Sequence, residues 1–207
     1  MRITKLFIAL VLSASVVLVA GCSATTSNSG SVTVGDVNDS TGHNVDASGP
    51  THVGVGETFT IPDMFEVTLD SAEWLDEVVL HGDGWTSTVG QRTEGASYFV
   101  IRATVKNIGT AAQSVGSGKT AHLTASYKIN DTYDIEPDIV VDTETGHNYE
   151  IGPLMGGNVF IYGLVSNEIK DQFEKCDVTL MGNMPDENGV WHLDAKPIGE
   201  YISTFSN

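Results

Sequence analysis

The sequence predicts an all-β protein, an antiparallel sandwich with one short helix. Three observations carry this. Apolar and polar residues alternate at a period of two through much of residues 53–207, turn-forming pairs separate the runs, and one short segment has helical spacing. With 207 residues, 41% hydrophobic and 18% charged, the chain has a globular balance and the length of one domain with appendages. Ten Lys and Arg against 27 Asp and Glu give a formal net charge of −17. That composition argues against nucleic acid, whose phosphates need clustered cations. Two cysteines exclude a disulfide-dense scaffold and a four-cysteine zinc site.

Taken in chain order, residues 1–21 read as a signal peptide. Arg2 and Lys5 give a cationic start, and Leu6 to Val19 is interrupted only by Ser13 and Ser15. That core is shorter than the roughly 20 apolar residues a membrane-spanning helix needs and fits an export leader. Val19-Ala20-Gly21-Cys22 follows directly. This segment resembles the lipobox of bacterial lipoproteins. The resemblance implies cleavage between Gly21 and Cys22, a diacylglycerol on the Cys22 sulfur, and palmitate-type acylation of the new amine. Each buried CH₂ contributes about 0.8 kcal/mol, so two or three chains hold a protein at a membrane where one binds only reversibly. Loss of Arg2 and Lys5 leaves a mature chain with 8 − 27 = −19 charges.

Residues 22–52 read as the lipidated Cys and a flexible linker. Residues 23–52 contain no Leu, Ile, Phe, Tyr or Trp, and Ser, Thr, Gly, Asn and Asp fill 21 of the 30 positions. Such a segment buries too little apolar area to offset its ordering entropy, and its r.m.s. span is about 30 Å.

The domain is expected over 53–207. Phe99, Ile101, Ala103 and Val105 share one face of a strand, and Arg102, Thr104 and Lys106 the other. Ala121–Ile129 repeats the pattern, and Glu57–Ile61, Phe65–Leu69, Val159–Val165, Asp177–Met181 and Val190–Ala195 also read as strands. Asn107-Ile108-Gly109, Thr145-Gly146 and Asn188-Gly189 supply turns. Asn167–Glu174 reads as the helix, with Ser166 as its cap and Ile169 and Phe173 four apart.

Gly56-Glu57-Thr58, then Glu94-Gly95 leading into Tyr98-Phe99-Val100-Ile101 and Val105-Lys106-Asn107-Ile108-Gly109, then Asp142, Gly146, Tyr149, Pro153-Leu154 and Val159-Phe160 follow one another in order. This succession resembles the uncharacterised immunoglobulin-like domain of Gram-positive lipoproteins, related in fold to a mycobacterial secreted immunoprotective antigen. The resemblance spans roughly residues 54–181. It implies an immunoglobulin-like sandwich and a cell-surface setting, and no catalytic residue.

Motifs for chemistry are sparse. Gly116-Ser117-Gly118-Lys119-Thr120 lacks the first glycine of a phosphate-binding loop, because Gln113 stands there, and a strand pattern follows where a helix is needed. It reads as a Gly-rich turn. Asp134, Glu136 and Asp138, within an acidic run that includes Asp131, Asp142 and Glu144, are the calcium candidate. They would need a bend at Pro137 to converge. A solvated acidic face is the default reading, so no metal site is expected. Six histidines show no metal-ligand spacing, and Cys176, in phase with Val178 and Leu180, reads as a buried apolar residue. Trp74 and Trp85 flank His81 and Asp83 in a long connection, which makes these four residues the candidate binding surface. The reading the composition favours over it is an irregular hairpin with Val78-Val79-Leu80 as an edge strand and both Trp rings buried in the core.

The sequence thus predicts a lipid-anchored, non-catalytic binding module on the extracytoplasmic face of a bacterial membrane. Its only cofactor-like group is the lipid, and a protein or envelope partner guided to it by charge would be cationic. The alternative is an envelope hydrolase with a site assembled from scattered acidic residues.

Overall fold

Period-two alternation becomes paired strands over most of the domain. The computed structural model describes residues 49–143 and 146–207; the expected leader, Gly21, Cys22 and most of the tether lie outside the described residues. In chain order the strands are β1 (Thr51–His52), β2 (Thr58–Ile61), β3 (Phe65–Leu75), β4 (Val78–Gly82), β5 (Trp85–Gly90), β6 (Ala96–Asn107), β7 (Gln113–Ser114) and β8 (Leu123–Ile129). There follow β9 (Tyr133–Ile135), β10 (Asp138–Thr143), β11 (Gly146–Asn148), β12 (Glu150–Ile151) and β13 (Gly156–Ser166). Helix α1 (Asn167–Lys170), β14 (Lys175–Gly182) and β15 (Gly199–Ser206) complete the chain.

One sheet has the order β1-β15-β14-β8-β9 and the other β11-β10-β13-β6-β3-β2. All pairings in these sheets are antiparallel except β1 with β15, where Thr51 stands beside Tyr201. Strands β3, β6, β13 and β10 take the A, B, E and D places of an immunoglobulin-like sandwich, and β15, β14 and β8 take G, F and C. The fold is therefore an immunoglobulin-like β-sandwich. It carries no B–F disulfide: Cys176 on β14 is a free, buried thiol whose pKa is pushed up to about 12, chiefly by burial and next by the charge of Asp177.

The core lies between the sheets. Phe65, Val67, Leu69, Phe99, Ile101, Val159 and Ile161 meet Leu123, Tyr127, Ile129, Val178 and Leu180 across it. Tyr127 is 1% exposed, and its hydroxyl donates to the Ile161 carbonyl at 2.8 Å, which satisfies the one polar atom the ring carries inward. At the end of β6, buried Asn107 donates to the carbonyls of Ala111 and Ile151 and accepts from Gly109 N, each at 2.8 Å. One amide thereby pins two loops.

Several expectations are corrected. Val190–Ala195 forms no strand; it belongs to the connection between β14 and β15. The last strand is β15, which alternation hides because Ser203 stands inward with Phe205. The helix is shorter than expected, with Ser166 Oγ accepting from Ile169 N as its cap. Thr51–His52, at the end of the expected linker, joins the sandwich as β1.

Candidate functional site

The long connection after β3 is a hairpin. Strands β4 and β5 pair with each other across a turn at Asp83-Gly84 and lie outside both main sheets, so Val78-Val79-Leu80 is no edge of the sandwich. The hairpin covers the outer face of the six-stranded sheet. Val78 and Leu80 pack with Val100, Val140, Phe160 and Tyr162 in a second apolar cluster, with Trp85 and Val89 against it. Arg92 pairs with Asp76 at 2.8 Å across the hairpin's base.

The expected binding residues do not assemble as one surface. Trp74 stands on the core side of β3, with ring centroids 4.9 Å from Phe99 and 5.4 Å from Phe173. Trp85 lies on the opposite side of that sheet, its indole over Gly82. His81 and Asp83 are exposed at the hairpin tip. The calcium candidates are likewise dispersed. Asp134 pairs with Lys128 at 2.9 Å, Asp138 accepts from the Tyr162 hydroxyl at 3.2 Å, and Glu136 faces solvent. Among the described residues no group of three His, Cys, Asp or Glu gathers as a metal ion needs.

A cleft stands on the outer face of the six-stranded sheet instead. Its volume is about 280 Å³, and Asp70, Ser71, Arg102, Asp142, Asn158 and Phe160 line it. A β-bulge builds one wall. Leu69 pairs with Ala103 and Ser71 with Arg102, so Asp70 is the extra residue. Asp70 and Ser71 therefore both face outward, and the phase of β3 reverses beyond them, which returns Trp74 to the core. The floor is a cross-strand row, Asp142 beside Asn158 beside Thr104. Thr104 Oγ1 donates to Asp70 Oδ2 at 3.1 Å.

The electrostatics of the cleft are lopsided. Arg102 is committed: Nε and an Nη hold Glu73 Oε1 at 2.7 and 2.6 Å, and the guanidinium lies 4.7 Å from the Phe160 centroid. Asp142 Oδ1 is buried with no hydrogen-bond partner among the described residues. The Tyr162 hydroxyl near this face is held protonated well above the ordinary tyrosine range, by burial first and the Asp138 charge second. Ser71 lines the cleft beside Asp70. Sequence reasoning met Asp142 only as part of an acidic run; the bulge at Asp70 has no signal in hydrophobic pattern.

A second crevice, lined by Lys119, Trp191 and His192 between the loops, holds about 10 Å³, room for one water at most.

No family model and no curated protein matches the chain. Among solved structures, an uncharacterised β-sandwich protein from Clostridium difficile superposes with a TM-score of 0.55 at 19% identity. The match covers 76% of this chain and 95% of that one. At that identity the likeness shows the fold. No helix of the described residues is long and apolar enough to cross a membrane.

Proposed function

We propose that the protein is a lipid-anchored, extracytoplasmic binding module of the immunoglobulin-like lipoprotein type, which takes a small ligand in the outer-face cleft without transforming it. The observation that carries the binding role is the cleft itself. Its floor is strand and its wall a bulge, so its polar groups are fixed by rigid elements. The anchor rests on the sequence, where a charged start, a short apolar core and Val19-Ala20-Gly21-Cys22 stand in the order of a lipoprotein leader. The linker then gives the sandwich roughly 30 Å of reach from the bilayer. The surplus of acids over bases in the mature chain keeps it off anionic lipid and favours cationic partners.

Labelled palmitate supplied to cells producing the full chain tests the anchor. The wild type is expected to carry the label and sediment with membranes, and Cys22→Ser to lose both. Label retained by the Cys22→Ser variant overturns the proposal.

A further inference from the structure

We propose that the end of the sandwich at which the chain enters rests on a bilayer of zwitterionic lipid, with Leu154 and Leu193 as its leading apolar contacts. This rests on the proposed lipid anchor and goes beyond it, since an anchor alone leaves the domain free to face any way.

Topology defines the end. Strand β1 runs parallel to β15, with Thr51 beside Tyr201, so the residues before Thr51 depart past Gly199, where β15 begins. There Gly182, the last residue of β14, pairs with Gly199 and with Leu123 at the start of β8. The other sheet reaches the same level. Ile61 and Met64 lie against Gly182, and the carbonyls of Met64 and Met155 accept from Ile108 N and Asn107 N, each at 2.9 Å. Loops 115–122, 152–155 and 183–198 therefore share this end. Asn183 N donates to the His122 carbonyl at 2.8 Å, and Lys119 Nζ donates to that of Leu193, which ties the first loop to the last.

This end carries apolar surface that the domain does not use. Six of the ten large apolar residues exposed among the described residues stand on these loops: Leu154, Met155, Met184, Val190, Leu193 and Ile198. Leu154 is 72% exposed and Leu193 60%. Leu154 also has a φ of 60°, in a turn closed by Met155 N donating to the Gly152 carbonyl at 3.1 Å. With Pro153 before it, that is the glycine position of a type II turn. A leucine there is strained and exposed, so its apolar surface serves a contact outside the domain.

Where the tether joins decides the occupant. Residues 23–52 contain no Leu, Ile, Phe, Tyr or Trp, so the tether supplies no large apolar cover of its own. A second copy brings the same surplus of acids and is repelled. A bilayer that holds the far end of a tether of about 30 Å is always within reach of this end, and a weak apolar contact to it becomes effectively intramolecular. Lys119 and Lys196, which pair with no carboxylate among the described residues, line a crevice with half-buried Trp191. Asp186, Glu187 and Asp194 lie on the same connection as Lys196, so both signs of charge are present, as zwitterionic headgroups require. An indole among lysines is the composition that settles at a membrane–water interface.

The test couples the mature chain, residues 22–207, through the Cys22 thiol to a maleimide-headgroup lipid in phosphatidylcholine vesicles; Cys176 is buried and does not compete. The coupling imposes the anchor, so a failure here bears on docking alone and leaves the anchor to its own test. Wild-type tryptophan emission is expected to fall when the phosphatidylcholine acyl chains are brominated, and Trp191→Phe to lose that quenching. The double variant Leu154→Asp, Leu193→Asp, changed only at exposed positions, is expected to lose most of it, and it retains Trp191 should Trp191→Phe fail to fold. Tyr133→Ser, exposed on β9 at the opposite end, is expected to be quenched as the wild type is. Absence of quenching in the wild type, quenching that Trp191→Phe keeps in full, or equal quenching in the double variant overturns the proposal. The uncoupled mature chain with Cys22→Ser is expected to sediment as a monomer; a dimer that the two Asp substitutions dissociate overturns the bilayer as occupant in favour of a second copy.

Discussion

Asp186 holds the connection between β14 and β15 in shape, and it does so as an anion. His192 Nε2 lies 3.0 Å from Oδ2, and the amides of Val190 and Asn188 each donate to Oδ1 at 2.9 Å. These donors, the His192 contact first, lower its pKa to about 2, against about 3.9 for a free aspartate. A depressed carboxylate contributes stability that is fully present above the unfolded pKa and lost as pH falls through the folded one. The loop is therefore expected to keep its form from neutral pH to about 4 and to open toward pH 2. Amide shifts of Asn188 and Val190 should titrate with a midpoint near 2; a midpoint near 3.9, that of free aspartate, would show that the turn's hydrogen bonds do not form in solution.

Secondary elements explain why the cleft lies where it does. The β4–β5 hairpin turns an outer sheet face into a second buried layer at one end and leaves polar floor at the other. Its packing depends on Gly82, where an added Cβ would overlap the Trp85 indole. Gly82→Ala is expected to displace the ring and cost about 1–3 kcal/mol, lowering Tm by about 2–4 °C per kcal/mol, with a change in tryptophan emission. An unchanged Tm and spectrum would show that the indole does not rest on Gly82.

The same elements show what the sequence made legible. Strand β6 read correctly because its inward residues are apolar and most of its outward ones polar. Strand β10 stayed hidden because Ile139, Val140 and Val141 are all buried, the outward Val140 beneath the hairpin, so no alternation marks it. Val190–Ala195 misled in the opposite sense: it has strand-like composition, yet Val190 and Leu193 are exposed and no strand edge receives them. The cleft was not legible, because a one-residue bulge brings Asp70 and Ser71 to the same face and joins them to residues from three other strands.

At the scale of the molecule, an acidic immunoglobulin-like sandwich receives its chain at Thr51, beside the start of β15. In the proposed arrangement the preceding segment is a tether and its far end a lipid. The proposed location depends on that arrangement, which would place the cleft outside the cytoplasm and fix which solutes can reach it. Mass spectrometry of the N-terminal peptide from membrane-extracted protein is the decisive measurement. The expected peptide begins at Cys22 and carries a diacylglyceryl thioether on its sulfur. A peptide that retains Met1, or that begins elsewhere with an unmodified thiol at Cys22, would refute the anchor and the location that rests on it.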